Sequence, residues 1–113
     1  YFKKILQKIN LESLDCSDNN LSSLEVKNNY NLSKLICFLN NLSNLNVKNG
    51  NNINFETFKA KSNPNLTCIE VDNTAWSITN WATNIDPQTS FSEDCSVSLN
   101  NEANFTSFSI IEQ

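Results

Sequence analysis

Four cysteines (Cys16, Cys37, Cys68 and Cys95) and two tryptophans (Trp76 and Trp81) are the side chains here best suited to chemistry or to holding a ligand. The cysteines lack the CxxC spacing of a zinc site or a dithiol redox centre, and the sequence has no histidine to complete a metal set. Without histidine there is no triad, and no cation or histidine near a cysteine in sequence would lower a thiol pKa. A single glycine rules out a Gly-rich phosphate loop. Glu93 and Asp94 are neighbouring carboxylates, but calcium would need oxygen ligands from several more positions, so they read as solvated loop charge. No catalytic residue, metal or cofactor is expected, and the chain reads as a non-enzyme.

Charge narrows the partners further. The net charge is -4 and there is no arginine, which makes bidentate readout of bases or phosphates, and hence nucleic acid, an unexpected partner. No apolar run approaches the ~18 residues of a membrane span, so membrane insertion is not expected either. The opening YFKKILQKIN has no signal-peptide core; a secreted precursor would have lost its signal before Tyr1.

The elements that must position these residues come from a repeat. Residues 11–31 (LESLDCSDNNLSSLEVKNNYN) superpose without a gap on residues 32–52 (LSKLICFLNNLSNLNVKNGNN), a period of 21. Leu11, Leu14, Cys16, Asn19, Leu21, Leu24 and Val26 match Leu32, Leu35, Cys37, Asn40, Leu42, Leu45 and Val47. A third copy, after a short insertion, puts Phe55, Phe58, Ala60, Asn63, Leu66, Ile69 and Val71 in the same roles. The unit is nested: LxxLxCxxN is echoed by LxxLxVxxN, and each half ends in the alternation of a half-buried strand. An amphipathic helix in the second half would need apolar residues at i, i+3, i+4 and i+7, and LSSLEVKNN supplies too few. The expected fold is a leucine-rich-repeat solenoid, mainly β, with two short parallel sheets from stacked 21-residue coils. Turns must be frequent, and with Gly and Pro scarce, asparagine is the expected turn former. Asn19, Asn40 and Asn63 are expected to form a ladder of amides bonding backbone groups of neighbouring coils.

The nested unit resembles the IRREKO-type leucine-rich repeats of bacteria. Residues 63–95, NPNLTCIEVDNTAWSITNWATNIDPQTSFSEDC, resemble the C-terminal end of such arrays in secreted Bacteroidetes proteins. Together these cover about three quarters of the chain. The resemblance implies export and a binding or surface role, often with a C-terminal sorting segment. SVSLNNEANFTSFSIIEQ looks like the lead-in to such a segment, without a YPNP-like signature.

Four regions follow: an incomplete N-terminal coil or cap at 1–10, repeats at 11–71, a capping region at 72–95 and a tail at 96–113. The cap should contain one short helix from Ala75 to about Ala82, N-capped by Asp72, Asn73 or Thr74. Trp81, Ile78 and Ile85 share a stripe that would lie over the last coil, with Trp76 on another side. Cys68 falls between inward positions and should point outward, and Cys95 lies just past the helix. A bridge would close a loop of about 28 residues, worth roughly 3–4 kcal/mol. The resemblance points to the same Cys68–Cys95 disulfide. Cys16 and Cys37, stacked inward on successive coils with parallel Cβ vectors, should stay reduced.

Alternation also assigns the outer faces. Ser23, Glu25, Lys27, Asn44, Asn46, Lys48, Glu70 and Asp72 make one uniformly polar face. On the other, Ser13, Asp15 and Ser17 are followed by Lys34, Ile36 and Phe38, then Thr57, Lys59 and Lys61. Ile36 and Phe38 place apolar groups outside among lysines, which marks Lys34, Ile36, Phe38, Thr57, Lys59 and Lys61 as the candidate binding residues; two isolated apolar residues on an ordinary surface are the plain alternative. The expected function is protein binding by a secreted or cell-surface module. A carbohydrate-binding accessory domain, with Trp76, Trp81 or Phe38 as sugar platform, and a structural spacer are the alternatives. Before Leu11 the pattern fades: Ile5 and Asn10 match Val26 and Asn31, but Lys3 falls where Leu24 would be. Either Tyr1, Phe2, Ile5, Leu6 and Ile9 form a lid, or the chain is cut from a longer array and self-associates through that end.

Overall fold

The repeated leucines become the centres of three-residue strands. The computed structural model describes residues 3–5 and 10–96, giving the backbone alone for 3–5. The strands are β1 (Lys3–Ile5), β2 (Ser13–Asp15), β3 (Ser23–Glu25), β4 (Lys34–Ile36), β5 (Asn44–Asn46), β6 (Thr57–Lys59), β7 (Cys68–Glu70) and β8 (Ser90–Ser92). One helix, α1 (Thr74–Trp81), lies between β7 and β8, followed by a 3-10 turn at Ala82–Asn84. Successive strands alternate between two sheets, β1-β3-β5-β7-β8 and β2-β4-β6, and every pair is parallel. Parallel neighbours need a long crossover; here each crossover through residues 10–71 passes through the opposite sheet.

The expected register holds from β2 onward in both sheets. Leu14, Leu35 and Phe58 are directly opposite one another in the three-stranded sheet, as are Leu24, Leu45, Ile69 and Phe91 in the five-stranded one. These centres point inward. With Val26, Leu32, Cys37, Leu42, Val47, Ala60, Leu66 and Val71 they build one shared core, in which Leu14 is half-buried. Each fully buried leucine or isoleucine contributes roughly 1.5–3 kcal/mol.

Two features of the stack differ from the repeat alignment. Lys4, not Lys3, lies opposite Leu24, so Ile5 meets Glu25 rather than Val26. The 21-residue spacing slips by one where the LxxL pattern that would fix it is missing. The side chains of Tyr1, Phe2, Ile5, Leu6 and Ile9, and the tail from 97 onward, lie outside what the structure describes. At the other end, parallel pairing continues past Val71, because β8 adds beside β7 with Phe91 over Ile69.

Asparagine populates the turns, as at Lys27-Asn28, Tyr30-Asn31 and Pro64-Asn65, but among the described residues it does not take the left-handed positions. The left-handed residues are Asp18 (φ 57°), Leu39 (φ 58°), Ser62 (φ 61°) and Gly50 (φ 78°). The first three each precede a ladder asparagine. That asparagine instead bonds across coils. Asn40 Nδ2 donates to the carbonyls of Cys16 and Cys37 while its Oδ1 accepts from Leu21 N–H; Asn63 repeats this with Cys37, Ala60 and Leu42. Asn19 keeps its bonds to Cys16 and Ser17 but is exposed, as no described strand stacks beyond β2 to cover it. Carboxylates add a second device. Asp72 accepts from Gly50 and Asn52 N–H, and Asp86 from Ser62 and Asn63 N–H, so each clamps the turn of the preceding coil.

Candidate binding surface

At the end of the three-stranded sheet, α1 stands where a further strand would pair with β6. Asn73 caps it by accepting from Trp76 N–H at 2.9 Å, one of the three N-caps the sequence offered. The buried helix residues are Ser77 and Trp81, one turn apart, while Ile78 is 55% exposed. The Trp81–Ile78–Ile85 lid is therefore only partly realised. Trp81 stacks on Phe58 with ring centres 4.1 Å apart and 16° between planes, and that contact sets which helix face is buried. The chain leaves the helix after Trp81, so the helical stripe does not run on to Ile85, which is half-buried. Trp76 is half-buried against the core and meets Trp81 edge-on at 5.3 Å.

The disulfide joins Cys68, on the outer face of β7, to Cys95 just past β8, with Cα atoms 5.9 Å apart and a sequence separation of 27. It fastens the segment just past β8 to β7, and is consistent with an extracellular location. Cys16 and Cys37 are free thiols. Burial, reinforced by the neighbouring Asp15, pushes the Cys16 thiol up to about 11, and burial pushes Cys37 up as well. Neither therefore carries an appreciable thiolate fraction at neutral pH. Glu93 accepts from Thr74 N–H and Asp94 from Ser96 N–H and Oγ, which occupies those carboxylates with protein donors. Among the described residues no three acidic or cysteine side chains gather as a metal site would require, and no helix is long and apolar enough to cross a membrane.

The six candidate residues lie together on the outer face of β2-β4-β6 and just beyond its strand ends, and divide among three settings. Phe38, Lys59 and Lys61 line a depression of about 340 Å³ with Leu39 and Thr83. Thr57 and Lys59 line a second one, of about 420 Å³, between β6 and the helix. Lys34 and Ile36 line neither; Lys34 is held 3.7 Å from Glu56, an exposed pair worth little in stability. Ile36, Phe38 and Thr57 are half-buried and the three lysines exposed. The lysines do not form a positive field. Lys59 lies near Asp15, whose carboxyl is held low mainly by bonds from Ser17 and also by that lysine. Lys61 lies near Asp86. Burial opposes ionisation of Asp86, but N–H donors from Ser62 and Asn63, with Gln88 and Lys61, hold its carboxyl below the usual value.

Leu39 escaped the sequence reading. It is 49% exposed and left-handed, at a position where the neighbouring coils place Asp18 and Ser62. Aligning the copies at that position, rather than only at inward ones, would have exposed the anomaly. Asn80 and Asn84, on the helix side of the second depression, carried no sequence signal, because nothing local places them beside β6.

No protein family, curated protein or solved structure matches the chain.

Proposed function

We propose that the chain is a leucine-rich-repeat solenoid segment of a secreted or cell-surface protein, and that it binds another protein, without catalysis, through the outer face of β2-β4-β6. The 21-residue unit, the alternation of strands between two parallel sheets and the buried asparagine ladder support the solenoid reading. The disulfide supports the extracellular one, since such bonds persist in oxidising compartments.

Leu39 carries the binding reading. A left-handed conformation costs an L-residue about 1–2 kcal/mol, and Asp tolerates it better than a bulky apolar side chain does. The fold nonetheless holds a half-exposed leucine there, beside half-buried Phe38, in one depression with Lys59 and Lys61. Strained, exposed apolar residues of this kind gather at ligand clamps. Among the described side chains the face of the five-stranded sheet offers Ser23, Glu25, Asn44, Asn46, Glu70, Ser90 and Ser92, with Cys68 taken up in its disulfide.

A photo-crosslinking amino acid at position 61, and for comparison at position 44, should capture a discrete protein from an extracellular extract only from position 61. The captured protein, purified, should bind the wild-type chain about ten times more tightly than the Leu39→Asp variant. Equal capture from both positions, or an affinity indifferent to Leu39→Asp, refutes the reading.

A further inference from the structure

We propose that the cleft between β6 and α1 is a subsite for a neutral saccharide, adjoining the depression around Leu39, with which it shares Lys59 and Asn84. Its floor is aromatic. Trp76 is half-buried there and wedged edge-on against Trp81, which is itself stacked on Phe58. A ring held by other rings loses little freedom when a ligand covers it, and the apolar face of a pyranose is what an exposed indole accepts.

Hydrogen-bonding groups stand around that floor with capacity to spare. Asn80 donates its Nδ2 to the Trp76 carbonyl at 2.9 Å, which fixes the amide and leaves Oδ1 as an acceptor. The side chains of Thr57 and Asn84 make no hydrogen bond within the described residues. Glu56 adds a carboxylate and Lys59 an ammonium, the two charged side chains of the cleft, and their charges cancel. A strongly charged ligand gains nothing there, whereas one bearing hydroxyls on a ring finds both donors and acceptors. The volume of about 420 Å³ is within the range of small-molecule sites, about 300–1,000 Å³. An added peptide strand fits less well, because Ala60 N–H, just past β6, is already bonded to the Asn84 carbonyl at 3.0 Å.

Tryptophan emission of the full chain, titrated with the tetramers of glucose, mannose, galactose, xylose and N-acetylglucosamine, tests the proposal. At least one tetramer should give a saturable change, and Trp76→Ala should remove it. Because truncating a half-buried ring can disturb folding, Thr57→Val and Asn84→Ala are the decisive variants. With circular dichroism unchanged, each should weaken binding by about fivefold or more. Leu39→Asp should leave sugar affinity unaltered, so loss of protein capture and loss of sugar binding are separately visible. No saturable response to any tetramer at about 10 mM, or a response indifferent to both Thr57→Val and Asn84→Ala, overturns the proposal.

Discussion

Along the five-stranded sheet the stack runs on through β8, while the three-stranded sheet stops at β6 and yields its next place to a helix. Inside, from β2 onward, both carry the same ladder of one apolar residue per strand. Outside they diverge: among the described side chains the longer sheet is polar apart from the Cys68 disulfide, and the shorter one gathers Ile36, Phe38, Leu39 and the edge of the tryptophan cluster. The contrast teaches that replacing one strand by a helix ends the regularity of one sheet only. That break makes a step, and a step gives the surface concavity.

If the helix is anchored through Phe58, then Phe58→Ala is the change with the largest effect. It removes a core side chain and the stacking partner of Trp81 together, and should lower stability by about 3–5 kcal/mol in denaturant titration. Lys59→Ala, one residue on and outward, should stay within about 0.5 kcal/mol of wild type. Similar losses for the two would mean the assigned faces are wrong.

On the longer sheet the corresponding fastening is covalent. Cys68→Ser should cost about 3 kcal/mol in the chain-entropy account. Hydrogen exchange should localise the loosening to β8 and the capping helix, leaving β3 and β5 protected. Uniform loss of protection through all coils would show that the bond supports the whole stack and not its last turn.

The smallest effect has the opposite sign. Leu39→Gly relieves the left-handed strain, about 1–2 kcal/mol, and reintroduces unfolded-state freedom of about 0.5–1 kcal/mol. The melting temperature should therefore hold or rise slightly, while partner binding falls. A clear loss of stability would make Leu39 a structural residue and remove the main support for the binding reading.

Much of this molecule was legible in the sequence because strand periodicity is local. An inward residue at every second position and a repeat of 21 fix the two ladders, and a cysteine at an outward position between Leu66 and Val71 fits the disulfide. The third copy was readable despite its insertion: Phe58, Ala60, Asn63, Leu66, Ile69 and Val71 are all buried. The amide ladder was legible too, since Asn40 and Asn63 bond across the stack as their repeat position implied. What failed to show was which residues take the left-handed turns: Asp18, Leu39, Ser62 and Gly50 do so, not asparagine.

The sequence by itself determined which side chains alternate inward, how many residues make a coil and which cysteines face out. Only the tertiary structure decided that Asp72 and Asp86 clamp turns 20 to 24 residues away, that Trp81 rather than Ile78 is buried, and that Asn80 and Asn84 face Thr57 across a cleft. The reason is physical. Alternation follows from the pleat of one strand, but a helix chooses its buried face from the neighbour it meets, and here that neighbour is the Phe58 ring.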